Sequence, residues 1–435
     1  MAASFFLTPS YSNHWYDIRD LSNISSAILD GADKILPFPV VYVLAALIGF
    51  VASFLIFVLP SQLYLGVYGE RKIIGRMQSR YGPNRVGPLG LLQPIADAIK
   101  LLTKEALTPT QSDRLIMYVA PILFVMPAVL LFAVIPFGPT DKDGNGMVFA
   151  NIPVSLLYFM AISSLPVIAA FMAGWSGNNK YSLYGAMRIV AMAISYEVPL
   201  VTALLAAVVI TSNPASNGLA LQGMVEWADT YKIWVVFVSP LAFIIYFICV
   251  SAELNRTPFD IAEAESEIVA GYLTEYSGMK WGLFYGMDIG YALGASAFAA
   301  TVFLGGWTLF GLEKWVPPWM IFIGKTHLFY FIFIWTRGTL PRLRSDQLMS
   351  FGWKFLLPLA IVNLLVLTTE RMWWSDQDYE KGLVYVFAVI NIIGSVAVIW
   401  AWARFMGYKG GQTPVRPRLV KNAGGFIPVG SEAGK

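Results

Sequence analysis

Apolar segments long enough to cross a lipid bilayer recur along the whole chain. A helix needs about 20 predominantly apolar residues to span the hydrocarbon core, where open sheets and irregular loops leave backbone polar groups without partners. Hydrophobic residues make up 57% of the 435 residues, and charged residues make up 13%. That charged fraction is about half the usual value for a soluble domain. The sequence therefore predicts an all-α polytopic membrane protein.

Nine segments have the length and composition of a transmembrane helix, and they predict one transmembrane domain over residues 40–403. Residues 1–39 are polar and mixed, which indicates an N-terminal extension. Residues 404–435 are rich in Gly and Pro, which indicates an extended tail that docks on a cytoplasmic neighbour. The nine predicted spans are 40–66, 115–136, 153–173, 186–211, 234–252, 283–311, 319–336, 353–369 and 383–403.

The basic residues are distributed unevenly between the two sides of this predicted bundle. Most of the 30 Lys and Arg residues fall in the alternate loops 67–114, 174–188, 253–282 and 337–354 or in the tail after residue 403. By the positive-inside rule, that side is cytoplasmic. Because nine spans place the termini on opposite sides, we expect the N-terminus outside and the C-terminus in the cytoplasm.

The stretch LGLLQPIADAIKLLTKE, between the first two spans, has polar and apolar side chains on different helical faces. About 16 residues with a charged stripe are typical of a helix that lies in the membrane interface. We therefore expect an interfacial amphipathic helix after the first span. The polar face contains Gln93, Asp97, Lys100 and Lys104, and the apolar face contains Leu91, Ile95, Ile99 and Leu102.

Glu197 lies near the middle of the fourth predicted span, MRIVAMAISYEVPLVTALLAAVVI. An acid at this depth costs at least about 2.5 kcal/mol on the insertion scale, and intramembrane acids commonly serve ion or proton pathways. Pro199 frees the carbonyl of Ser195 and loosens the helix beside the acid. A structural carboxyl group that is hydrogen-bonded by Ser195 or Tyr196 is the alternative.

The most acidic part of the chain is SAELNRTPFDIAEAESEIVAGYLTEYSG, residues 251–278, which contains one base, Arg256. Interleaved apolar residues such as Phe259 favour a segment packed against protein, although charge alone fits a solvated loop equally well. Neighbouring or buried carboxyl groups raise one another's pKa, so the set can hold protons near neutral pH. Asp288, in the sixth span, extends the series. The carboxylates are Glu253, Asp260, Glu263, Glu265, Glu267 and Glu275.

Arginine concentrates in two predicted cytoplasmic loops. Contact with lipid headgroups and topology anchoring explain part of this pattern. The first loop also contains Gly82-Pro83-Asn84 and Gly87-Pro88, which indicate one fixed loop shape beyond what anchoring requires. The basic residues are Arg71, Lys72, Arg76, Arg80 and Arg85 in the first loop, and Arg337, Arg342 and Arg344 in the second.

The sequence contains no evident redox centre, nucleotide site or metal site. Cys249 is the only cysteine, so the chain cannot hold an iron–sulfur cluster by itself. The two histidines, His14 and His327, have no cysteine or carboxylate at metal-ligand spacing, and no dinucleotide or Walker motif is present. We therefore expect no metal, no bound cofactor and no catalytic redox group in this chain.

Four segments carry motifs that occur in the same order in one membrane-protein family. They are GERKIIGRMQSRYGPNRVGPLGLLQPIADAIKLLTKE (69–105), ISYEVPL (194–200), AELNRTPFDIAEAESEIVAGYLTEYSG (252–278) and WTRGTLPRLRSDQLMSFGWKFLLPL (335–359). They closely resemble the H-subunit family of the proton-pumping NADH–quinone oxidoreductase, respiratory complex I, whose mitochondrial counterpart is membrane subunit 1. The resemblance covers roughly residues 40–370, whereas the N-terminal extension, ninth span and tail lie beyond the shorter mitochondrial pattern.

The resemblance implies a subunit at the heel of the complex, where the membrane arm meets the peripheral redox arm. Quinone would be the substrate, and FMN and iron–sulfur clusters would lie in partner subunits. The implied partners are peripheral quinone-site and iron–sulfur subunits, small membrane subunits, antiporter-like subunits and the lipid bilayer, without nucleic acid. The implied location is the bacterial inner membrane.

The resemblance also implies roles for individual residues. Glu197 matches the buried acid of the fourth-span motif. The implied proton path consists of Glu197, Glu253, Glu263, Glu265, Glu267 and Glu275, continued by Asp288. The implied quinone channel consists of Glu70, Arg71, Arg80, Arg85 and Asp97, with Arg256 and Phe259.

Two other functions fit some of these features. The membrane anchor of an energy-converting hydrogenase, or of a ferredoxin-fed quinone oxidoreductase, belongs to a related class of enzyme. The complete loop between Glu70 and Gly90 favours a quinone-reducing member. A stand-alone ion transporter would also use intramembrane acids, but the chain lacks the internal repeats that are common in transporters.

Overall fold

A computed structural model provides the structure of the chain. It describes residues 54, 58–139, 148–214, 216–261, 265–311, 315–377, 381–405, 419–422 and 425–428. The chain forms two compact units, residues 1–392 and 393–435. The predicted N-terminal extension and Glu263 lie outside the described residues.

The regular elements in the described part of the chain are helices, apart from one short hairpin. A π-helical segment, Ser61–Gly69, leads directly into the first α-helix, and a π-helical turn, Gly352–Leu356, joins α13 to α14. The α-helices are α1 Glu70–Met77, α2 Gln93–Thr103, α3 Arg114–Leu130, α4 Ser155–Ser163, α5 Leu165–Ser176, α6 Lys180–Thr211, α7 Leu221–Tyr231, α8 Val235–Val238, α9 Pro240–Glu253, α10 Glu265–Ile268, α11 Gly278–Phe303, α12 Pro318–Thr339, α13 Ser345–Phe351, α14 Leu357–Asp376 and α15 Lys381–Phe405.

The hairpin consists of β1, Leu419–Asn422, and β2, Gly425–Pro428, paired antiparallel with Leu419 opposite Pro428. It lies within the segment 404–435 that the sequence analysis describes as an extended tail. The cytoplasmic position of that tail stays a prediction.

Six helical segments among the described residues are long and apolar enough to cross a membrane. Each of them overlaps a predicted span, so the prediction of an all-α integral membrane protein is confirmed. The six segments are Arg114–Val134, Ser155–Ser176, Lys180–Thr211, Pro318–Thr339, Ser345–Asp376 and Lys381–Ala401.

The total of nine spans stays a prediction. Most of the first predicted span, 40–66, lies outside the described residues. The predicted span 234–252 is interrupted at Ser239, because Pro240 disfavours a helical conformation at the residue before it. The predicted span 283–311 corresponds to α11, which has 26 residues but contains several Gly residues and Asp288.

The long helix α6 lies at the centre of the bundle and packs against α5, α9 and α14. Its buried side is rich in small residues, which allow neighbouring backbones to approach closely. At Gly185, an added Cβ atom would lie 2.6 Å from the Cα atom of Gly271. The loop before α11 therefore rests directly on the helix backbone.

The predicted amphipathic helix is present as α2, and it is shorter than its 16-residue pattern suggests. Pro94 occupies its first turn, and Lys104 leaves the helix in an extended conformation. Ile95, Ile99 and Leu102 form an exposed apolar face. The existence of the helix is thus confirmed, and its position in the interface stays a prediction.

Candidate functional site: a cavity lined by carboxylates and arginines

One cavity is lined by charged side chains from several helices and from the loop after α9. Its walls also contain the hydroxyl-bearing side chains of Tyr246, Tyr272, Tyr285 and Tyr291, and apolar side chains such as Phe124 and Phe159. An apolar wall with a few convergent polar groups is typical of a binding or active site. The charged lining residues are Glu197, Glu253, Arg256, Asp260, Asp288 and Arg337.

Glu197 lines this cavity while the residues before it hold α6 in place. The hydroxyl of Ser195 donates to the carbonyl of Ala191 at 2.8 Å and accepts from the indole N–H of Trp353 at 3.1 Å. The hydroxyl of Tyr196 donates to the carbonyl of Leu348 at 2.9 Å. Both hydroxyl groups therefore form bonds that anchor α6 to α13 and the π-helical turn, and these bonds do not involve the carboxyl group of Glu197.

Glu253 brings a second carboxyl group to the same cavity from a different helix. It is the last residue of α9, and α9 packs directly against α6. Glu197 and Glu253 are far apart in sequence but share one cavity wall. The packing of α9 against α6 therefore brings two acids from separate helices to one cavity.

A chain of alternating charges extends from the end of α12 to α11. The guanidinium of Arg337 donates to Oε1 of Glu70. Nη1 of Arg256 lies 3.6 Å from Oε2 of Glu70, and Nη2 lies 3.8 Å from Oδ2 of Asp288. Glu70 and Arg256 are only 4% and 3% exposed. Such burial is tolerated because each charge has opposite charges beside it.

Tyr330 supports this chain of charges from α12. Its ring lies beneath the guanidinium of Arg256, with 5.5 Å from the guanidinium carbon to the ring centroid. Its hydroxyl donates to Oε2 of Glu70 at 3.5 Å. The aromatic face and the hydroxyl therefore stabilise one cation and one anion of the network together.

Local structure explains how Glu70 reaches the interior. Glu70 is the first residue of α1, which continues the π-helical segment Ser61–Gly69 without a break, and Arg337 lies in the last turn of α12, where the helix dipole favours a base. At Gly66, an added Cβ atom would overlap Cγ2 of Ile289. The π-helical segment before α1 can therefore approach α11 this closely only with glycine at this position.

Glu267 lies outside the cavity, on the surface of the loop after α9. One carboxylate oxygen accepts from Arg188 of α6 at 2.6 Å, and the other accepts from Arg342 at 2.8 Å. The hydrogen bond from Arg188, together with the charges of both arginines, holds the pKa of Glu267 below its usual range. This carboxylate therefore ties α10 to α6 and to the loop before α13.

The other predicted loop acids occupy different positions. Glu275 accepts from the side-chain amide of Asn179 at 2.8 Å and lines a surface groove beside the N-terminus of α6. Glu265 begins α10. Their predicted roles in a proton path stay predictions.

The residues predicted for the quinone channel fall into four environments. Arg71 donates to Asp97 at 2.6 Å and so connects α1 to α2. Arg80 and Arg85 are exposed on the loop between these helices. Phe259 is buried with its ring edge-on to that of Tyr196, at 5.4 Å between centroids. Glu70 and Arg256 belong to the buried charge network.

Two participants do not stand out as site residues in the sequence, Tyr330 and Arg337, whereas Asp260 belongs to the acidic stretch 251–278. The sequence pattern indicates Arg337 only as part of a basic cluster at the membrane surface. One feature of the sequence could have indicated the role of Arg337. It lies at the end of an apolar run, where a base can form an ion pair with a buried acid from another segment. Among the described residues, no group of three or more His, Cys, Asp or Glu side chains lies close enough to bind a metal ion.

Comparison with known proteins identifies the family. The NADH dehydrogenase family matches residues 48–368, which is most of the chain. The chain belongs to this family. The match contains Glu70, Glu197, Arg256 and Arg337, so the charged cavity lies within the part of the chain shared with the NADH dehydrogenase family.

Individual relatives agree with this assignment and confirm the resemblance drawn from the sequence motifs. A protein of Dehalococcoides mccartyi, named as the H subunit of NADH-quinone oxidoreductase, is 45% identical over 83% of this chain and 95% of its own length. An H subunit of NADH-quinone oxidoreductase from Geobacter metallireducens is 46% identical over 75% of this chain and 97% of its own length. The protein of the same name from Bacillus cytotoxicus is 43% identical over 72% of this chain and 91% of its own length.

Proposed function

We propose that this chain is the membrane subunit of a proton-translocating NADH–quinone oxidoreductase, in which it forms the quinone-access passage and couples quinone reduction to proton translocation. The observation that carries the proposal is the cavity in which Glu197, Glu253 and Asp288 meet the buried Arg256. Membership of the NADH dehydrogenase family, and the names of the relatives, give this arrangement its chemical context.

The quinone passage begins beside α2 in this proposal. The exposed apolar residues Ile95, Ile99 and Leu102 provide a surface along which an isoprenoid tail can leave the bilayer. The hydrogen bond from Arg71 to Asp97 fixes this helix against α1, whose first residue is Glu70. A quinone that passes α2 therefore approaches the charge network.

Reduction of a quinone to a quinol takes up two electrons and two protons. FMN and iron–sulfur clusters in partner subunits supply the electrons, and this chain supplies binding surfaces and titratable groups. Arg256 lies between Glu70 and Asp288 at nearly equal distances. A change of charge at the quinone headgroup therefore moves the guanidinium of Arg256 closer to one carboxylate and away from the other, and only a small displacement is needed.

The movement of Arg256 changes how much its positive charge stabilises the carboxylate of Asp288, because the Coulomb energy of a close ion pair is large in a poorly solvated site. Proton affinity then changes along the carboxyl groups of the same cavity, from Asp288 to Glu253 and Glu197. From Glu197 the proton or the field change passes to antiporter-like subunits. The chain acts in the cytoplasmic half of the inner membrane, with its N-terminus outside and its main loops in the cytoplasm.

Purification of the tagged chain in mild detergent, followed by identification of the associated subunits and an assay of quinone reduction, tests this function. The expected result is a set of flavin and iron–sulfur subunits with inhibitor-sensitive electron transfer from NADH to quinone. A nickel-containing partner with hydrogen evolution would assign the chain to a hydrogenase. A chain that purifies alone and conducts ions would overturn the proposal.

A further inference from the structure

Lys280 is a buried cation at the start of α11. Its side chain and backbone together are only 9% exposed. Among the described residues, no hydrogen-bond acceptor contacts its ammonium group. Lysine is rarely buried without a paired anion, because the desolvated ammonium loses its hydrogen bonds to water. Within the described ranges, no carboxylate forms an ion pair with this ammonium group.

The ammonium group of Lys280 lies against a surface tyrosine. Its Nζ atom is 3.8 Å from the ring centroid of Tyr118, which is a cation–π contact. Tyr118 is 55% exposed and lies on a face of α3 with Leu115, Ile122 and Met126, all of which are also exposed. This spacing forms an apolar stripe along a helix that is long enough to cross the membrane.

Both residues lie near the predicted cytoplasmic surface of the membrane. Lys280 is in the first turn of α11 and Tyr118 is in the second turn of α3, so both lie within about 11 Å of their helix starts. The end of α2 is also close, because an added Cβ atom at Gly278 would lie 3.1 Å from the carbonyl oxygen of Lys104. With the predicted orientation of the bundle, Lys280 and Tyr118 are expected at the depth of lipid headgroups, beside α2.

Charged residues of both signs lie on the segments around this position. Lys104 and Arg114 are exposed on the segments next to Lys280. The nearby acids are Glu105, Asp113 and Glu275. The carboxylate of Asp113 accepts a hydrogen bond from the backbone N–H of Ile116, and that of Glu275 accepts one from the side-chain amide of Asn179. Basic pockets between helices on the cytoplasmic side bind anionic headgroups.

We propose that Lys280 and Tyr118 form a binding site for the phosphate group of an anionic phospholipid. The phosphate provides the missing acceptor for the ammonium group, and the flexible lysine stem reaches the edge of the tyrosine ring to meet it. The acyl chains cover the exposed stripe of α3 and the apolar face of α2. The site is separate from the charged cavity and does not depend on the redox function.

Native mass spectrometry of the purified, delipidated complex, with added phosphatidylglycerol or phosphatidylcholine, tests the site. Wild-type complex is expected to retain phosphatidylglycerol in preference to phosphatidylcholine, and Lys280→Gln is expected to need at least tenfold more phosphatidylglycerol for half-saturation. Lys232→Gln, which neutralises an exposed lysine elsewhere, is the matched control and should behave as wild type.

Two further variants keep the test decisive if Lys280→Gln does not assemble. Lys280→Arg should retain the lipid, and Tyr118→Leu should weaken its retention. Equal retention by Tyr118→Leu and wild type, equal retention by Lys280→Gln and wild type, or equal binding of the two lipids would overturn the proposal. Displacement of the lipid by millimolar inorganic phosphate would also overturn it, since the site would then recognise a free anion.

Discussion

Glu70 is a charged side chain in the protein interior, and two guanidinium groups hold it there. Arg337 donates to one carboxylate oxygen, and Arg256 lies 3.6 Å from the other. Removal of one partner from a buried pair leaves an uncompensated charge, which costs about 3–5 kcal/mol. An exposed pair contributes about 0–1 kcal/mol. The network around Glu70 therefore stabilises the fold only while all its members are present.

Glu70→Gln should lower the free energy of unfolding by about 3 kcal/mol, because the buried guanidinium of Arg256 and the half-buried guanidinium of Arg337 both lose the carboxylate between them. Denaturant unfolding of the purified complex, followed by intrinsic fluorescence, measures this change. Asp229→Asn, at the exposed pair with Lys232, is the matched control and should cost less than about 1 kcal/mol. Equal stability of the two variants would contradict the buried network.

A double-mutant cycle isolates the contact between Glu70 and Arg337. The double variant Glu70→Gln/Arg337→Gln should lose less stability than the sum of the two single variants, because neither charge remains alone. Strict additivity would show that the two side chains do not interact.

At the residue scale, the sequence predicted the carboxylates of the site better than their partners. Glu197 and Asp288 can be identified as candidate site residues from the sequence, because acids are rare in apolar segments. Arg337 was interpreted as an anchor, since its partner Glu70 lies 267 residues away and no local pattern connects them. The hydroxyl groups of Ser195 and Tyr196 also bond to Trp353 and Leu348, which lie more than 150 residues away and which sequence spacing does not indicate.

At the scale of elements, the loop after α9 is held by contacts with several distant segments. The backbone N–H of Leu343 donates to the carbonyl of Pro258 at 3.1 Å. The hydroxyl of Ser277 accepts from the backbone N–H of Leu107 at 2.8 Å. Glu267 adds two ion pairs, to Arg188 and Arg342. The sequence indicated a packed segment, and these contacts show what it packs against.

Glu267→Gln should increase hydrogen–deuterium exchange in residues 265–268 and 342–344 several-fold. The carboxylate has a lowered pKa, so its stabilising effect is fully present above the unfolded-state pKa of about 4.3 and is lost as the pH falls through the folded-state value. The difference from wild type should therefore stay constant between pH 6 and pH 8. Mass spectrometry of peptides from the intact complex measures the exchange.

Asp346→Asn is the control for this experiment, since Asp346 pairs with Arg344 while both side chains are exposed. It should leave exchange in residues 265–268 unchanged. If Glu267→Gln also left this exchange unchanged, the carboxylate would not hold α10.

A comparison of the predicted spans with the observed helices shows which elements hydropathy can predict. Six predicted spans coincide with long apolar helices, because hydropathy alone determines them. The predicted span 234–252 failed as one helix, although its cause, Pro240, was visible in the sequence. The close approach of Gly66 to Ile289 was not predictable, because it depends on how distant helices pack.

Asp97→Asn should weaken the attachment of α2 to α1, because the ion pair with Arg71 is lost. Under the proposed function, the KM for a long-tailed quinone should rise several-fold, whereas the KM for a short-tailed analogue should change little. Steady-state quinone reduction with both substrates measures the difference. Asp229→Asn serves again as the control, and equal effects on both substrates would argue against a role of α2 in guiding the tail.

At the scale of the whole molecule, the bundle brings acids from distant segments to one cavity. Glu197 comes from α6, Glu253 from the end of α9 and Asp288 from α11. The same cavity wall contains Arg256, which connects these acids to Glu70 at the start of α1. This continuity between the predicted quinone side and the centre of the membrane bundle is the physical basis of the proposed coupling.

Proton translocation by reconstituted complex with Glu197→Gln tests the proposed coupling most directly. We expect the rate of proton uptake coupled to NADH oxidation in proteoliposomes to fall about tenfold, which corresponds to an increase of about 1.4 kcal/mol in the barrier to proton transfer. Subunit composition should remain unchanged, and Glu226→Gln, at an exposed position on α7, should behave as wild type. Full proton translocation by an assembled Glu197→Gln complex would contradict the proposed role of the cavity.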